Sequence, residues 1–321
     1  MRKASILAVI AAGVALQFSV PTFAAENTIP IIVKNTSTYY WRILLAGARN
    51  AGKELGIEVV ELGPQQDSDI AGQISILENA VAGNPLAVVI AASQFDALGK
   101  PIDEAATKTK VIGVDSGADS QAYASFVTTD NVMGGRAAGE ALAAAITQTY
   151  GEPVGDVMLI TSVPGAGSLD QRAAGFKAVL AEKYPKINVV ADKVADGQIT
   201  TGLNIMNDII LANPNLRGAF ASSEEMAIGV SQAVSENKKQ DQIKIVAFDS
   251  NEQLVKSLAE GVIAALIVQD PLRMGYESIK IAYAASQGED VPANVDTGVN
   301  TITKENMNEE RSKNLLSPKI D

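Results

Sequence analysis

Charged and amide side chains stand directly after several short apolar runs of this 321-residue sequence. Lys34, Asp115, Asp249 and Gln269 each follow such a run. A lysine, two carboxylates and an amide can bind the polar groups of a small molecule through hydrogen bonds. If the runs are parallel strands, their carboxyl ends meet at one edge of a sheet, where ligands of open α/β sheets bind. The four residues are therefore candidates for one binding site.

The only tryptophan of the chain, Trp41, stands directly behind Tyr39 and Tyr40 and shortly after the first apolar run. Aromatic residues make up 5% of the sequence, so three in a row need an explanation. The rings either plug a core where a helix begins or form a flat wall of a binding site. Their position beyond a strand end favours the binding site for Tyr40 and Trp41.

Residue types that are absent exclude several kinds of chemistry. The chain has no histidine and no cysteine, which removes the usual zinc, copper and iron ligands, disulfides, and Ser–His or Cys–His catalysis. Neither Gly134-Gly135 nor Gly165-Ala166-Gly167 belongs to a phosphate-binding glycine motif, and no Asp-x-Asp-x-Asp-Gly calcium loop occurs. We expect no metal, no cofactor and no catalytic residues.

The first residues have the layout of a secretory signal. The basic pair Arg2-Lys3 precedes an apolar run over residues 4–20, and Thr22-Phe23-Ala24 has small residues at the −3 and −1 positions. A membrane anchor is the alternative, but Gln17 interrupts a run that is already short for a span. We expect residues 1–24 to be a signal peptide that is cleaved on export.

The charge and length of the remaining chain limit its partners and its organisation. Without residues 1–24 the chain has 24 basic and 37 acidic residues, a net charge of −13. Such a chain repels phosphate backbones and anionic lipid, so nucleic acid is not an expected partner. Its length exceeds the size at which a single core stops growing, and two domains are expected.

Short apolar runs alternate with stretches of helical periodicity along most of the chain. The predicted strands are 29–33, 57–62, 87–91, 111–114, 157–161, 189–194, 218–221, 243–248 and 264–268. The predicted helices are 43–55, 70–82, 132–150, 172–183, 199–212, 225–237 and 252–260. Strands that are apolar throughout indicate parallel sheets covered by helices on both faces, and the alternating order indicates the doubly wound α/β class rather than an eightfold barrel.

Six segments resemble the ribose-type periplasmic sugar-binding proteins, which are the solute receptors of bacterial ABC importers. They are TTDNVMGGRAAGE (128–140), DQRAAGFKAVL (170–180), GLNIMNDII (202–210), AFASSEEMAIG (219–229), IVAFDSNE (245–252) and VQDPLRMG (268–275). The resemblance implies the type I periplasmic binding protein fold: two Rossmann-like lobes, each a parallel sheet flanked by helices, joined by three hinge crossings. The implied lobes are residues 27–128 with 270–297, and residues 129–269 with about 298–321.

The resemblance also implies a function. A monosaccharide or related polyol would be bound between two closing lobes in the periplasm and delivered to an ABC transporter permease in the inner membrane. A chemotaxis receptor is a further candidate partner, and the implied state is a monomer.

Matched positions give roles to individual residues. In this family a carboxylate and a forked guanidinium bind sugar hydroxyls, and Asp115 and Arg172 match them. Asp249 and Gln269 match the polar residues of the second lobe and the hinge. Tyr40 and Trp41 match the aromatic pair that lies against the sugar ring. Ser116 and Ser223 stand where the ribose pattern has an arginine and an asparagine, so we expect a sugar other than ribose.

Alternatives remain for some residues and for the function. Lys34, Asp115 and the pair Asp170-Gln171 resemble the polar set of autoinducer-2 receptors, a signalling branch of the same fold. Lys34 either binds ligand or only neutralises Asp115. Glu224, at the start of a predicted helix, is either a ligand contact or an acid favoured by the helix dipole. A glycosidase-like enzyme with paired carboxylates is the least favoured alternative.

Overall fold

Two six-stranded sheets, each built from consecutive strand–helix units, form the frame of the protein. The computed structural model describes residues 27–320, so the predicted signal peptide lies outside the described residues. Among residues 27–320 no helix is long and apolar enough to cross a membrane.

The first lobe is built on a sheet of parallel strands. Its strands are β1 (Thr28–Ile32), β2 (Glu58–Leu62), β3 (Ala87–Ile90), β4 (Lys110–Val114), β5 (Ser125–Thr128) and β11 (Asn294–Asp296). Their spatial order is β2-β1-β3-β4-β5-β11, and every neighbouring pair is parallel. The helices that cover this sheet are α1 (Tyr39–Leu55), α2 (Ile70–Ala82), α3 (Phe95–Ala106) and α9 (Pro271–Ser286).

The second lobe repeats this arrangement. Its strands are β6 (Gly155–Thr161), β7 (Ile187–Val194), β8 (Leu216–Ala221), β9 (Lys244–Phe248), β10 (Ile263–Val268) and β12 (Asn300–Ile302). Their order is β7-β6-β8-β9-β10-β12, and only the β10–β12 pair is antiparallel. Its helices are α4 (Asn131–Tyr150), α5 (Gly167–Lys183), α6 (Ile199–Ala212), α7 (Glu224–Glu236), α8 (Glu252–Glu260) and the C-terminal α10 (Glu310–Leu316).

The shared strand order makes each strand of one lobe equivalent to a strand of the other, with β1 matching β6 and β4 matching β9. The chain passes between the sheets three times: from β5 to α4, from β10 to α9, and from β11 to β12. Because the polar strand ends of both lobes lie on the cleft side of these crossings, each lobe can supply half of a site between them.

All nine predicted strands and all seven predicted helices are present, which confirms the doubly wound α/β class. The central strands are buried because helices cover both faces of each sheet: every residue of β3, for example, is buried. Asp69, Asp130 and Asp270 start α2, α4 and α9 by accepting a backbone N–H bond in the first turn. The predicted strands and helices did not include β5, β11, β12, α3, α9 or α10.

Helices α1 and α9 lie with their backbones in direct contact. A side-chain carbon added at Gly47 would overlap the carbonyl oxygen of Leu272, and one added at Gly275 would overlap that of Leu44. The two glycines therefore interlock the helices on the first lobe. Gly135 and Gly175 do the same for α4 and α5 on the second lobe, where an added carbon would overlap the backbone of the facing helix.

We predict that Gly47→Ala lowers the free energy of unfolding by about 2 kcal/mol, because the new methyl group meets backbone atoms that cannot rotate away. Without that overlap, the same change in a helix would stabilise the protein by up to about 1 kcal/mol. Urea unfolding of the purified protein measures the difference. Asn50→Ala, at an exposed position of the same helix, is the control and should change stability by less than about 0.5 kcal/mol. A Gly47→Ala protein as stable as the parent would contradict the interlock.

Candidate functional site

The first lobe brings a lysine, a tyrosine and an aspartate together beyond the ends of β1 and β4. Asp115 directly follows β4 and has a φ of +60°, in the left-handed region that few non-glycine residues occupy. Its Oδ1 accepts a 2.6 Å hydrogen bond from the Tyr40 hydroxyl, and its Oδ2 lies 3.5 Å from Lys34 Nζ. All three side chains are buried. The carboxylate of Asp115 is therefore held by a cation on one side and a hydroxyl on the other.

The second lobe contributes an equivalent aspartate. Asp249 directly follows β9, the counterpart of β4, and it too has a positive φ, +68°. Gln269 Nε2 donates a 2.8 Å hydrogen bond to its Oδ1, and Arg172 Nη1 lies 3.8 Å from its Oδ2. A left-handed aspartate costs roughly 1 kcal/mol, and such strain is found mainly where the surroundings fix a functional group. The lobes thus present the same residue, in the same backbone state, from both sides of the cleft.

Arg172, in the second turn of α5, is fixed by its neighbours. Its Nε donates to Asn131 Oδ1 and its Nη1 donates to the Ser222 carbonyl oxygen, both at 2.8 Å. The guanidinium carbon also lies 3.7 Å from the centre of the Phe248 ring. These contacts use the Nε and Nη1 side of the fork, and Nη2 donates to no group within residues 27–320. That side of the guanidinium can bind a ligand oxygen without breaking an existing bond.

Several hydrogen bonds join the two lobes across the cleft. Lys34 Nζ donates to Ser168 Oγ at 3.4 Å, and the backbone N–H of Tyr40 donates to Glu224 Oε2 at 3.1 Å. The Thr38 hydroxyl donates to Glu225 Oε1 at 3.1 Å. These bonds connect α1 and the β1 end with the first turns of α5 and α7, so the structure shows the lobes closed on each other.

Tyr40 and Trp41 lie both in the core and on a cavity wall. Tyr40 and Trp41 are 7% and 4% exposed and belong to the core of the first lobe, yet both also line the cavity between the lobes. Their rings meet edge to face with centres 4.9 Å apart, and Lys34 Nζ lies 5.7 Å from the Trp41 ring. A core position and a cavity wall are therefore not alternatives here.

The interlobe cavity brings together nine of the eleven predicted site residues. They are Lys34, Tyr40, Trp41, Asp115, Arg172, Ser223, Glu224, Asp249 and Gln269. The cavity lies where the strand-end rule of doubly wound sheets predicts it.

The other two predicted residues are not on the cavity wall. Asp170 is exposed on α5. Partial desolvation of its carboxyl group raises its pKa, although the positive charge of Lys177 opposes the rise. Ser116 is buried behind Asp115, and its hydroxyl accepts a 3.4 Å hydrogen bond from the backbone N–H of Ser168. Ser116 therefore joins the lobes without lining the cavity.

The cavity also contains residues that the sequence analysis did not select. They are Thr38, Asp67, Ser162, Ser168, Leu169 and Glu225. Asp67 and Ser162 follow β2 and β6, so a consistent application of the strand-end rule would have found both. Ser168 and Glu225 lie in the first turns of helices and reach the cavity only because the lobes close, for which the sequence carries no local signal.

Negative charge exceeds positive charge on the cavity wall. Five carboxyl groups face two cations: Asp67, Asp115, Asp249, Glu224 and Glu225 against Lys34 and Arg172. Burial raises the pKa of Asp249 to about 6, although Arg172 and Gln269 oppose the rise. Burial also raises the pKa of Glu224 to about 7, against hydrogen bonds from Asn251 and Tyr40.

The pKa of Glu225 lies above those of Glu224 and Asp249. Burial, reinforced by the negative charges of Asp67 and Glu224, raises it to about 8. Burial likewise raises the pKa of Asp67, although Lys34 and the amide of Asn35 oppose the rise. The closed site therefore holds protons that free carboxyl groups would release near neutral pH.

Some buried acceptors on the cavity wall lack a protein partner. Within residues 27–320 neither Gln269 Oε1 nor Ser223 Oγ has a hydrogen-bond partner, although both atoms are buried. An unpaired buried polar atom costs roughly 1–3 kcal/mol, so a hydroxyl-bearing ligand that meets these acceptors would recover that energy. Together with two carboxylates, one guanidinium and an aromatic wall, the arrangement suits a small molecule with several hydroxyls.

We predict that the ligand-free protein becomes less stable as pH rises from about 5 to 8. Between its unfolded-state and folded-state pKa, a carboxyl group with a raised pKa is protonated in the folded protein but ionised in the unfolded chain. Its ionisation therefore does not destabilise the fold at pH values below the unfolded-state pKa, and it destabilises the fold fully at pH values above the folded-state pKa.

Glu225→Gln keeps an acceptor for Thr38 and removes the charge, so at pH 8.5 it should raise the free energy of unfolding by about 1–2 kcal/mol. Urea unfolding at pH 5 and pH 8.5 measures both effects.

The control for that experiment is Glu236→Gln, which makes the same change of net charge at an exposed position of α7. It should leave the pH dependence unchanged. Equal behaviour of the two variants would mean that Glu225 titrates as a solvated side chain, contrary to its position in the cleft.

Comparison with known proteins agrees with this geometry. The chain is 29% identical over 302 residues to the ribose import binding protein RbsB of Salmonella typhimurium, a match that covers 93% of this chain and 98% of that protein. Among solved structures it resembles a carbohydrate transporter solute binding protein from Agrobacterium radiobacter in complex with D-arabinose, with 58% identity, a TM-score of 0.90, and coverage of 91% and 99% of the two chains.

A second solved structure is an ABC transporter solute binding protein from Agrobacterium vitis with bound D-fucose, with 30% identity, a TM-score of 0.85, and coverage of 90% and 100%. The periplasmic binding protein domain matches residues 29–290. These matches confirm the resemblance to ribose-type sugar-binding proteins and the type I fold. The chain belongs to the periplasmic binding protein family.

Proposed function

We propose that this protein is the sugar-binding component of an ABC importer in the periplasm. It binds one neutral monosaccharide between its lobes and catalyses no reaction. The observation that carries the proposal is the pair of equivalent aspartates, Asp115 and Asp249, which reach one interlobe cavity from opposite lobes. Each is paired with a cation of its own lobe, and an aromatic wall stands beside them.

The chemistry of the cavity suits a sugar ring. A sugar has hydroxyls around its rim and C–H patches on its faces, so it needs paired polar groups and a flat apolar surface. Asp115, Asp249 and the free side of Arg172 provide the polar groups, while Tyr40 and Trp41 provide the surface. The excess of carboxyl groups repels anionic ligands, which excludes phosphosugars from the proposal.

The proposed ligand is D-arabinose or a closely related monosaccharide. Support comes from the 58% identical solute binding protein of Agrobacterium radiobacter, which is in complex with D-arabinose. The 30% identical protein from Agrobacterium vitis has bound D-fucose, so the family site accommodates more than one monosaccharide configuration.

Closure of the lobes converts binding into a signal for transport. Contacts from the ligand to both lobes favour the closed state over the open one, which is a population shift driven by differential affinity. The closed surface is then the form that a membrane permease binds. Lys34, Tyr40 and Thr38 bond across the cleft, so contacts between the lobes add to those that the ligand makes in the closed state.

We predict that D-arabinose binds saturably and changes the emission of Trp41, the only tryptophan, because the indole lies on the cavity wall. The mature protein should first be unfolded and refolded to remove any ligand carried through purification. Fluorescence titration and calorimetry then give two independent affinities. If no neutral monosaccharide binds in either measurement, the proposed function is wrong.

We further predict that Asp249→Asn weakens that binding about 100-fold. The change removes a charged acceptor and leaves Arg172 with one fewer charged partner, and a hydrogen bond to a charged group contributes roughly 1.5–3 kcal/mol. Asp170→Asn is the matched control, because it makes the same chemical change at an exposed position outside the cavity. Its affinity should stay within twofold of the parent. A similar loss in both variants would place the ligand elsewhere.

A further inference from the structure

A second cavity adjoins the interlobe site and has no role in the proposal above. We call it the vestibule; its volume is about 340 Å³ and it opens to solvent. The first lobe lines it with Phe95, Tyr123 and Phe126, and the second lobe with Asn131 and Gln171. Like the central cavity, it is therefore formed by both lobes together.

The vestibule and the central cavity share part of their walls. Asp115 and Ser168 line both of them. Asn131 lines the vestibule and accepts the hydrogen bond from Nε of Arg172, whose side chain lines the central cavity. The two cavities are therefore neighbours at Asp115 and Ser168, and a substituent on a sugar bound at Asp115 would lie next to the vestibule.

The aromatic residues of the vestibule are held in place by the chain around them. The Tyr123 and Phe126 rings lie 5.7 Å apart with a 36° tilt, and the Tyr123 hydroxyl accepts a 3.2 Å hydrogen bond from the backbone N–H of Ala118. A side-chain carbon at Gly113 would overlap the Phe126 ring, so the absence of a side chain at this glycine leaves the space that the ring occupies. The third ring belongs to Phe95, at the start of α3, and is 39% exposed. Phe95 is the one aromatic residue among the exposed large apolar side chains of residues 27–320.

The chemistry of the vestibule differs from that of the central cavity in its charge. Among the residues of 27–320 that line it, only Asp115 is charged, and this carboxylate is already paired with Lys34. Beside the rings stand uncharged hydrogen-bonding groups from Ser120, Gln121 and Gln171. Aromatic faces with amides and hydroxyls suit a neutral sugar unit, whereas a charged group would find no partner there.

We propose that the vestibule is a subsite for a neutral sugar unit or similar glycosidic substituent attached to the monosaccharide in the central cavity. The inference rests on the proposed function and extends its substrate class from free monosaccharides to glycosides. Because both lobes line the vestibule, an occupant contacts both of them and favours the closed state in the same way as the central ligand.

Calorimetry with the mature protein tests the proposal. The probes are D-arabinose and D-fucose, each with its methyl and phenyl α- and β-glycosides. We expect at least one glycoside to bind within tenfold of its parent sugar. Phe95→Ala, combined with Gln171→Ala, should weaken that glycoside about three- to tenfold, which is the range of lost aromatic contacts, and leave the parent sugar within twofold.

Leu211→Ala is the matched control, since it removes an exposed apolar side chain of the second lobe outside the vestibule. It should change neither affinity, and thermal melting checks that all variants fold. The proposal is overturned if every glycoside binds more than tenfold weaker than its parent, or if the double variant leaves glycoside affinity unchanged. Failure of the free sugars to bind would instead contradict the proposed function.

Discussion

The need to bury charge between two lobes governs the design of this site. Removing an ion from water costs several kcal/mol, so a buried carboxylate needs a cation or strong donors beside it. Each lobe meets that need by itself: Asp115 lies beside Lys34 in the first, and Asp249 lies beside Arg172 in the second. The pairs are therefore formed before the lobes meet. Glu224 lies at the seam, where it meets only neutral donors, and protonation near neutral pH is its remaining means of neutralisation.

The repeated topology explains why the two aspartates match, and it also limits what a sequence can reveal. Apolar strands and periodic helices were predictable because each has a local pattern. Helix α3 was not, since Gly99 and Pro101 interrupt its pattern, although its N-terminal Phe95 lines the vestibule. Strands β11 and β12 have three residues each, too few to show a period, and they form only because the sheets offer them an edge.

For the cavity wall, sequence reasoning was most complete at strand ends such as Asp115 and Asp249, and it was less complete where a helix or lobe closure decides which side chains reach the cavity. Asp170 and Arg172 are two positions apart on α5, and residues so spaced face different sides of a helix. Only Arg172 reaches the cavity, so the resemblance of the segment to known receptors could not by itself place Asp170. Ser168 and Glu225 reach the cavity through the approach of the lobes, which no single segment encodes.

The aromatic residues connect ligand contact with the hinge. Trp41 and Tyr40 lie in the first turn of α1 and contact both the cavity and the core of the first lobe. Because Gly47 brings the backbone of α1 against that of α9, the two helices pack as one unit of the first lobe. Helix α9 begins at Pro271, two residues after Gln269 of the cavity, where the chain crosses between the lobes. A sugar held against the Trp41 ring, as proposed, would therefore contact a helix packed directly on the one that starts at the hinge, where lobe movements of this kind are centred.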